Sequence, residues 1–141
     1  MPDVHSTQTR SYNMSQIKGK NTKPELLVRK YLFSKGFRYR INDKRYPGHP
    51  DIVLPKYKTA IFINGCFWHV HEGCNYFIWP KNNEDFWRKK LLSNSKRDKS
   101  NYEELSELGW RVIIIWECEL KKSMVPDRLN TLILQINSQH Y

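Results

Sequence analysis

The sharpest chemistry in this sequence lies in nine consecutive residues, Cys66-Phe67-Trp68-His69-Val70-His71-Glu72-Gly73-Cys74, with Cys118 following at a distance. Two cysteines with histidine between them and a third cysteine further on can supply the four soft ligands of a closed tetrahedral zinc site. That use accounts for all three cysteines of the chain. The competing use is as buried thiols, a common fate of cysteine. Beside three cysteines only one histidine can complete a four-coordinate site, so the other is left near the metal and free for acid-base work. Spacing alone does not say whether His69 or His71 is the ligand.

Asp51 is the second signal. It follows Gly48-His49-Pro50 and opens an apolar stretch, so a turn presents a carboxylate at a strand edge, where a hard cation such as magnesium can be held. An aspartate in a turn is ordinary. Its standing rises because the next apolar stretch leads straight to Asn64, Gly65 and His69, so a short hairpin would bring Asp51 and His69 into one site. Glu25 has a sufficient structural explanation as the acid of a capping box begun by Thr22.

These residues need elements to position them. Thr22-Lys23-Pro24-Glu25 predicts a helix start, and Gly36 its end. Phe37, Tyr39 and Ile41 alternate with Arg38 and Arg40, as in a strand with one wet face, before Tyr46-Pro47-Gly48 turns the chain. Ile52-Val53-Leu54 and Thr59-Ala60-Ile61-Phe62-Ile63 read as an antiparallel pair around a Pro-Lys-Tyr-Lys turn. From about Asn83 to Leu108 the pattern is helical, in one piece or two, and Gly109 closes it. Arg111 to Trp116 reads as a buried strand. An amphipathic helix from about Pro126 carries Leu129, Leu132, Ile133 and Ile136 on one face. The expected order is helix, three strands, helix, strand, helix. No internal repeat or long linker divides it, which predicts one domain over 1–141 with an N-terminal arm at 1–20.

Charge points to the partner. Lys and Arg number 24 against 14 acids, a formal charge of +10, which favours a polyanion and nucleic acid first. Between Met14 and Arg45 ten basic side chains face only Glu25 and Asp43, which suggests a phosphate-binding face; a solvated surface is the plainer alternative. No apolar run approaches a membrane span, and the first ten residues lack the apolar core of a signal peptide. A cytoplasmic protein without membrane contact, its cysteines reduced, is the expectation.

Three blocks then resemble a known family. Pro47-Gly48-His49-Pro50-Asp51, Phe62-Ile63-Asn64-Gly65-Cys66-Phe67-Trp68-His69, and Glu107-Leu108-Gly109-Trp110-Arg111-Val112 running to Trp116-Glu117-Cys118 closely resemble the very-short-patch repair (Vsr) endonucleases, and the resemblance takes in Asn13-Met14 and Glu25. It implies an α/β fold of the restriction-endonuclease (PD-(D/E)XK) type, with a central mixed sheet flanked by helices and a structural zinc site. It also implies a monomeric enzyme that nicks one strand of double-stranded DNA beside a T:G mismatch left by deamination of 5-methylcytosine, with mismatch-repair proteins as further partners. On this reading Asp51 and the Ile63 carbonyl hold catalytic magnesium, His69 is the base, and Glu25 supports the hydrated metal. Zinc falls to Cys66, His71, Cys74 and Cys118. Phe67, Trp68 and Trp87 form a wedge that enters the duplex, and Met14 inserts from the opposite groove. Core packing is the alternative use of those aromatics. Where the family pattern has threonine and histidine, this chain has Ile63 and Asn64. A backbone ligand tolerates the first change, whereas asparagine can hydrogen-bond a scissile phosphate but carries no charge there. One extra residue also separates His71 from Cys74. Two other functions fit the same residues: a zinc-stapled DNA-binding module without cleavage, and a nuclease of this fold with another DNA target.

Overall fold

The computed structural model describes residues 22–138; Met14 and the N-terminal arm lie outside them. Helix α1 spans Lys23–Ser34. Strands β1 (Arg40–Ile41), β2 (Ile52–Leu54) and β3 (Thr59–Asn64) follow, then helix α2 (Glu84–Glu107), strand β4 (Arg111–Trp116) and helix α3 (Val125–Asn137). This is the expected order. Two 3-10 turns, Pro55–Tyr57 and Glu117–Leu120, lie between β2 and β3 and after β4.

Local signals explain most boundaries. Thr22 accepts the Glu25 amide at the start of α1, with Pro24 in the first turn. The expected strand from Phe37 to Ile41 shrinks to Arg40–Ile41, and both of its residues are exposed. The Phe37 amide is spent on the Leu32 carbonyl (3.0 Å) in closing α1, while the Phe37 ring drops into the core and the Tyr39 hydroxyl donates to the Arg29 carbonyl at 3.1 Å. This stretch is tied to the helix before it can join the sheet. α2 is one continuous helix of 24 residues, of which Leu91 and Leu105 are fully buried. Gly109, at φ +88°, ends it with Trp110 N–H donating to the Leu105 carbonyl at 3.0 Å, the Schellman closure that favours glycine. β4 is half-buried, with only Ile113 and Ile115 fully inside.

The sheet has four strands in the order β1-β2-β3-β4. The first three are antiparallel neighbours, and β3 pairs with β4 in parallel, so the sheet is mixed. A parallel pair needs a crossover, and α2 supplies it. One face of the sheet, through Ile52, Leu54, Ile61, Ile113 and Ile115, packs on Val28 and Leu32 of α1 and on Leu129, Leu132 and Ile136 of α3. The other, through Ala60 and Phe62, packs on Leu105 of α2, with Tyr102 and Trp110 at its edge. The architecture is thus α/β, with helices on both faces.

The turn before β2 is tight for a packing reason. Gly48 has φ +79°, and a Cβ there would meet Phe62 Cε1 at 3.0 Å and Asn101 Cβ at 3.1 Å. Both conformation and space therefore call for glycine. Gly48→Ala is expected to lower stability by about 1–3 kcal/mol, read as an earlier urea midpoint at unchanged slope. An unchanged midpoint would mean that the turn is not packed as described.

Candidate active site and metal-binding cluster

Register places the functional residues. β3 and β4 align Asn64 with Trp116, so Cys66 and Cys118, each two residues further on, leave the sheet side by side. The antiparallel register of Ile52 with Ile61 likewise sets Asp51, just before β2, near Ile63. The Ile63 amide donates to Asp51 Oδ2 at 2.6 Å.

Asp51 stands in a cavity of about 870 Å³ that is also lined by Glu25, Asn64, His69 and Asp98, with Lys90 and Arg97 at the same opening. Burial pushes the Asp51 carboxyl up to about 7, the neighbouring Glu25 adds to the rise, and the Ile63 hydrogen bond opposes it. Glu25 is buried and bound to Arg29 at 3.0 Å, so its carboxylate has a structural partner beyond the helix start. Asp51 and Glu25, among the carboxylates that line this cavity, suit a hard divalent cation, which would relieve the desolvation that raises Asp51.

His69 enters the same cavity, so the expected meeting of Asp51 and His69 is found. Its Nδ1 lies 2.6 Å from Asp98 Oδ2 of α2. A carboxylate only accepts, so Nδ1 carries a proton, and in the neutral ring the lone pair lies on Nε2. The arrangement can hold an imidazole ready to take a proton. Asn64 is buried and donates through Nδ2 to the Tyr102 hydroxyl at 2.8 Å.

His71 points elsewhere. Between the two histidines Val70 has φ +54°, a conformation that is an outlier for a β-branched residue, and the chain reverses there. His71 stacks on Trp116 with centroids 4.1 Å apart, and its Nδ1 lies 3.4 Å from Cys118 Sγ. The ligand atoms of Cys66, His71, Cys74 and Cys118 all lie within 4.8 Å of one another. Geometry thus separates the two histidines: the His71 ring lies with the cysteine sulfurs and His69 faces the cavity. Burial pushes the Cys66 thiol up and, with its neighbouring thiols, lifts Cys118 to about 12. Thiolates crowded this way call for a cation among them, and this soft donor set could hold a metal ion.

Phe67, Trp68 and Trp87 pack on one another, with centroids 5.1 to 5.9 Å apart, and belong to neither core cluster. Phe67 and Trp68 also line the cavity. Phe77 and Phe86 extend this aromatic surface. Asp98, Tyr102 and Asn94, whose Nδ2 donates to the Trp68 carbonyl at 3.2 Å, were not singled out from sequence. Their one signal is a spacing of four residues on a helical face.

Comparison with known proteins bears on this site. The family profile described as DNA mismatch endonuclease Vsr matches residues 2–75. The chain is similar to the type II nicking enzyme V.NmeAIP of Neisseria meningitidis serogroup A, 55% identical over 96% of this chain and 97% of the relative. It is also similar to the DNA mismatch endonuclease Vsr of Escherichia coli K12, 42% identical over 86% of this chain and 77% of the relative. A third relative, the type II nicking enzyme V.XorIIP of Xanthomonas oryzae, is 44% identical over 85% of this chain and 88% of its own.

The half-buried Asp51 carboxylate carries a stability cost with a defined sign. Asp51 rises from 3.8 to about 7 on folding, so stability present below its ordinary range is lost as pH climbs towards neutrality. An asparagine in its place could still accept the Ile63 N–H without the charge. In metal-free protein Asp51→Asn should therefore melt later than the parent above neutrality, by on the order of 2 kcal/mol, with the margin closing towards about pH 4. A margin that is negative or flat with pH would contradict this electrostatic assignment.

Proposed function

The chain belongs to the DNA mismatch endonuclease Vsr family, and from that membership we propose that it nicks one strand of duplex DNA beside a T:G mismatch arising from 5-methylcytosine deamination. The observation that carries this reading is one cavity in which Asp51, the His69–Asp98 pair and Asn64 meet, flanked by the Phe67–Trp68–Trp87 cluster.

The chemistry follows from the positions. We assign Asp51 and the Ile63 carbonyl to a magnesium ion; the Ile63 N–H faces Asp51, and in a strand both polar groups of one residue project to the same side. Magnesium held there would polarise the phosphate and ease deprotonation of the attacking water. Glu25 orders water around that position. His69 Nε2 takes the proton from the attacking water, and Asp98 stabilises the imidazolium that results. The water oxygen bonds to phosphorus as the bond to the leaving sugar oxygen breaks, and that oxygen is protonated by solvent. Asn64 donates a hydrogen bond to a non-bridging oxygen while charge builds on it.

Recognition uses a different set. Phe67, Trp68 and Trp87 replace stacking lost when the base pairs part, and a weakly paired mismatch lowers the cost of parting them. Met14 is assigned to insertion from the opposite groove. Lys90 and Arg97 at the cavity mouth supply phosphate contacts independent of sequence. We assign zinc to Cys66, His71, Cys74 and Cys118, where it ties the aromatic loop to the end of β4. The four-stranded mixed sheet with Asp51 at its edge supports a restriction-endonuclease-like core. One domain over 1–141, acting as a monomer in the cytoplasm and open to mismatch-repair proteins, completes the reading.

Purified protein with magnesium should nick a T:G duplex and leave its T:A counterpart largely intact, and Asp51→Ala should abolish nicking while still binding DNA. Equal cutting of both duplexes, or none of either, would defeat the T:G assignment. Metal analysis should find about one zinc per chain, and chelation should lower the melting temperature; fully active protein without zinc would refute that ligand set.

A further inference from the structure

One stripe of α2 holds the segment that follows β3. Asn94, Asp98 and Tyr102 recur every fourth residue and so share a helix face. Their partners are the Trp68 carbonyl, His69 Nδ1 and Asn64 Nδ2. The Asp98 contact belongs to the reaction already described. The Tyr102 contact does not.

Asn64 is 3% exposed and lines the cavity, so its amide must find partners in protein or substrate. Rotation about the terminal torsion of asparagine is soft, and a partner is needed to hold the amide plane. The Tyr102 hydroxyl is that partner, at 2.8 Å. Because the amide is planar, fixing one Nδ2 hydrogen fixes the direction of the other. Resting on the endonuclease reading, we propose that Tyr102 is a positioning residue for strand cleavage: by accepting one Nδ2 hydrogen of Asn64, it aims the second at a non-bridging phosphate oxygen in the cavity.

Other features support the assignment. The Tyr102 ring meets Phe62 edge-on, with centroids 4.9 Å apart, and packs against the second core cluster, so the hydroxyl is held on a rigid support. Burial, with Asp98 and Asp51 nearby, pushes the phenol up to about 12, which keeps it neutral over the working range. Tyr102 is not among the residues lining the cavity, so it acts through Asn64 and not on the substrate.

A double-mutant cycle on T:G nicking tests the proposal. Tyr102→Phe should lower kcat about tenfold with KM changed by less than about twofold, while zinc content stays that of the parent and the melting temperature falls by only a few degrees. Asn64→Ala should lower kcat at least as much, and adding Tyr102→Phe to it should cost nothing more. Full kcat in Tyr102→Phe, a loss confined to KM, or losses that multiply in the double variant would overturn the proposal. A second measurement needs no variant to fold: in the unmodified protein with 15N-labelled asparagine, one side-chain hydrogen of Asn64 should be protected from exchange. The resonance of the other should shift when an uncleavable phosphorothioate T:G duplex is added. Rapid exchange of both hydrogens, or no shift, would also overturn it. If the unmodified protein nicks no duplex at all, the endonuclease reading fails, whereas the amide measurement still judges the Tyr102 contact.

Discussion

The hydrogen bond from the Ile63 amide to Asp51 Oδ2 joins the last turn before β2 to the end of β3, and it holds a carboxylate partly out of water. Burial works against that charge, lifting the group to about 7, and the hydrogen bond offsets the penalty only in part. A fold built for stability alone would place an apolar residue there. The surrounding constraints serve this one placement: Gly48 lets the preceding turn close against Phe62 and Asn101, and the β2–β3 register, Ile52 with Ile61, brings the Ile63 amide within reach. The cost is of the kind that an active site carries and a bound cation repays.

Beyond β3 a second constraint takes over. Parallel pairing sets Asn64 level with Trp116, which lets Cys66 and Cys118 share one cluster with Cys74 and His71. Within three residues the chain must send one histidine to Asp98 and the next to the thiols, and it does so through the left-handed backbone at Val70. Strain of this sort persists where the surroundings over-determine it. Here His71 is held by its stack on Trp116 and His69 by its contact with Asp98. The same loop carries Phe67 and Trp68, so the Cys/His cluster, the aromatic surface and His69 form one mechanical unit braced against α2.

Much of this was legible in the sequence because it rests on local signals. The Thr22 cap, the glycine at the end of α2, the apolar pair around the Pro55–Tyr57 turn and the cysteine spacing each have a short-range cause. Asp51 and His69 could be brought together because one hairpin and one loop separate them. β1 is shorter than its alternation suggests because the pattern from Phe37 to Ile41 is outweighed by closure of α1, which takes the Phe37 amide. Asp98 and Tyr102 gave no warning: they sit in a long polar helix among many lysines, and only its packing across β3 shows which side chains turn inward. Which histidine joins the cysteines was undecidable from spacing, since the answer lies in the dihedral angle of Val70.

We propose that Asp51 is desolvated in order to hold a cation. The most direct measurement is the 13C shift of its side-chain carboxyl followed against pH, first in metal-free protein and then with magnesium and an uncleavable T:G duplex. A midpoint near 7 is expected in the metal-free state, where burial raises the group, and a fall into the ordinary carboxylate range once magnesium and DNA are present. A midpoint already in that ordinary range, or one that magnesium and DNA leave unmoved, would contradict it.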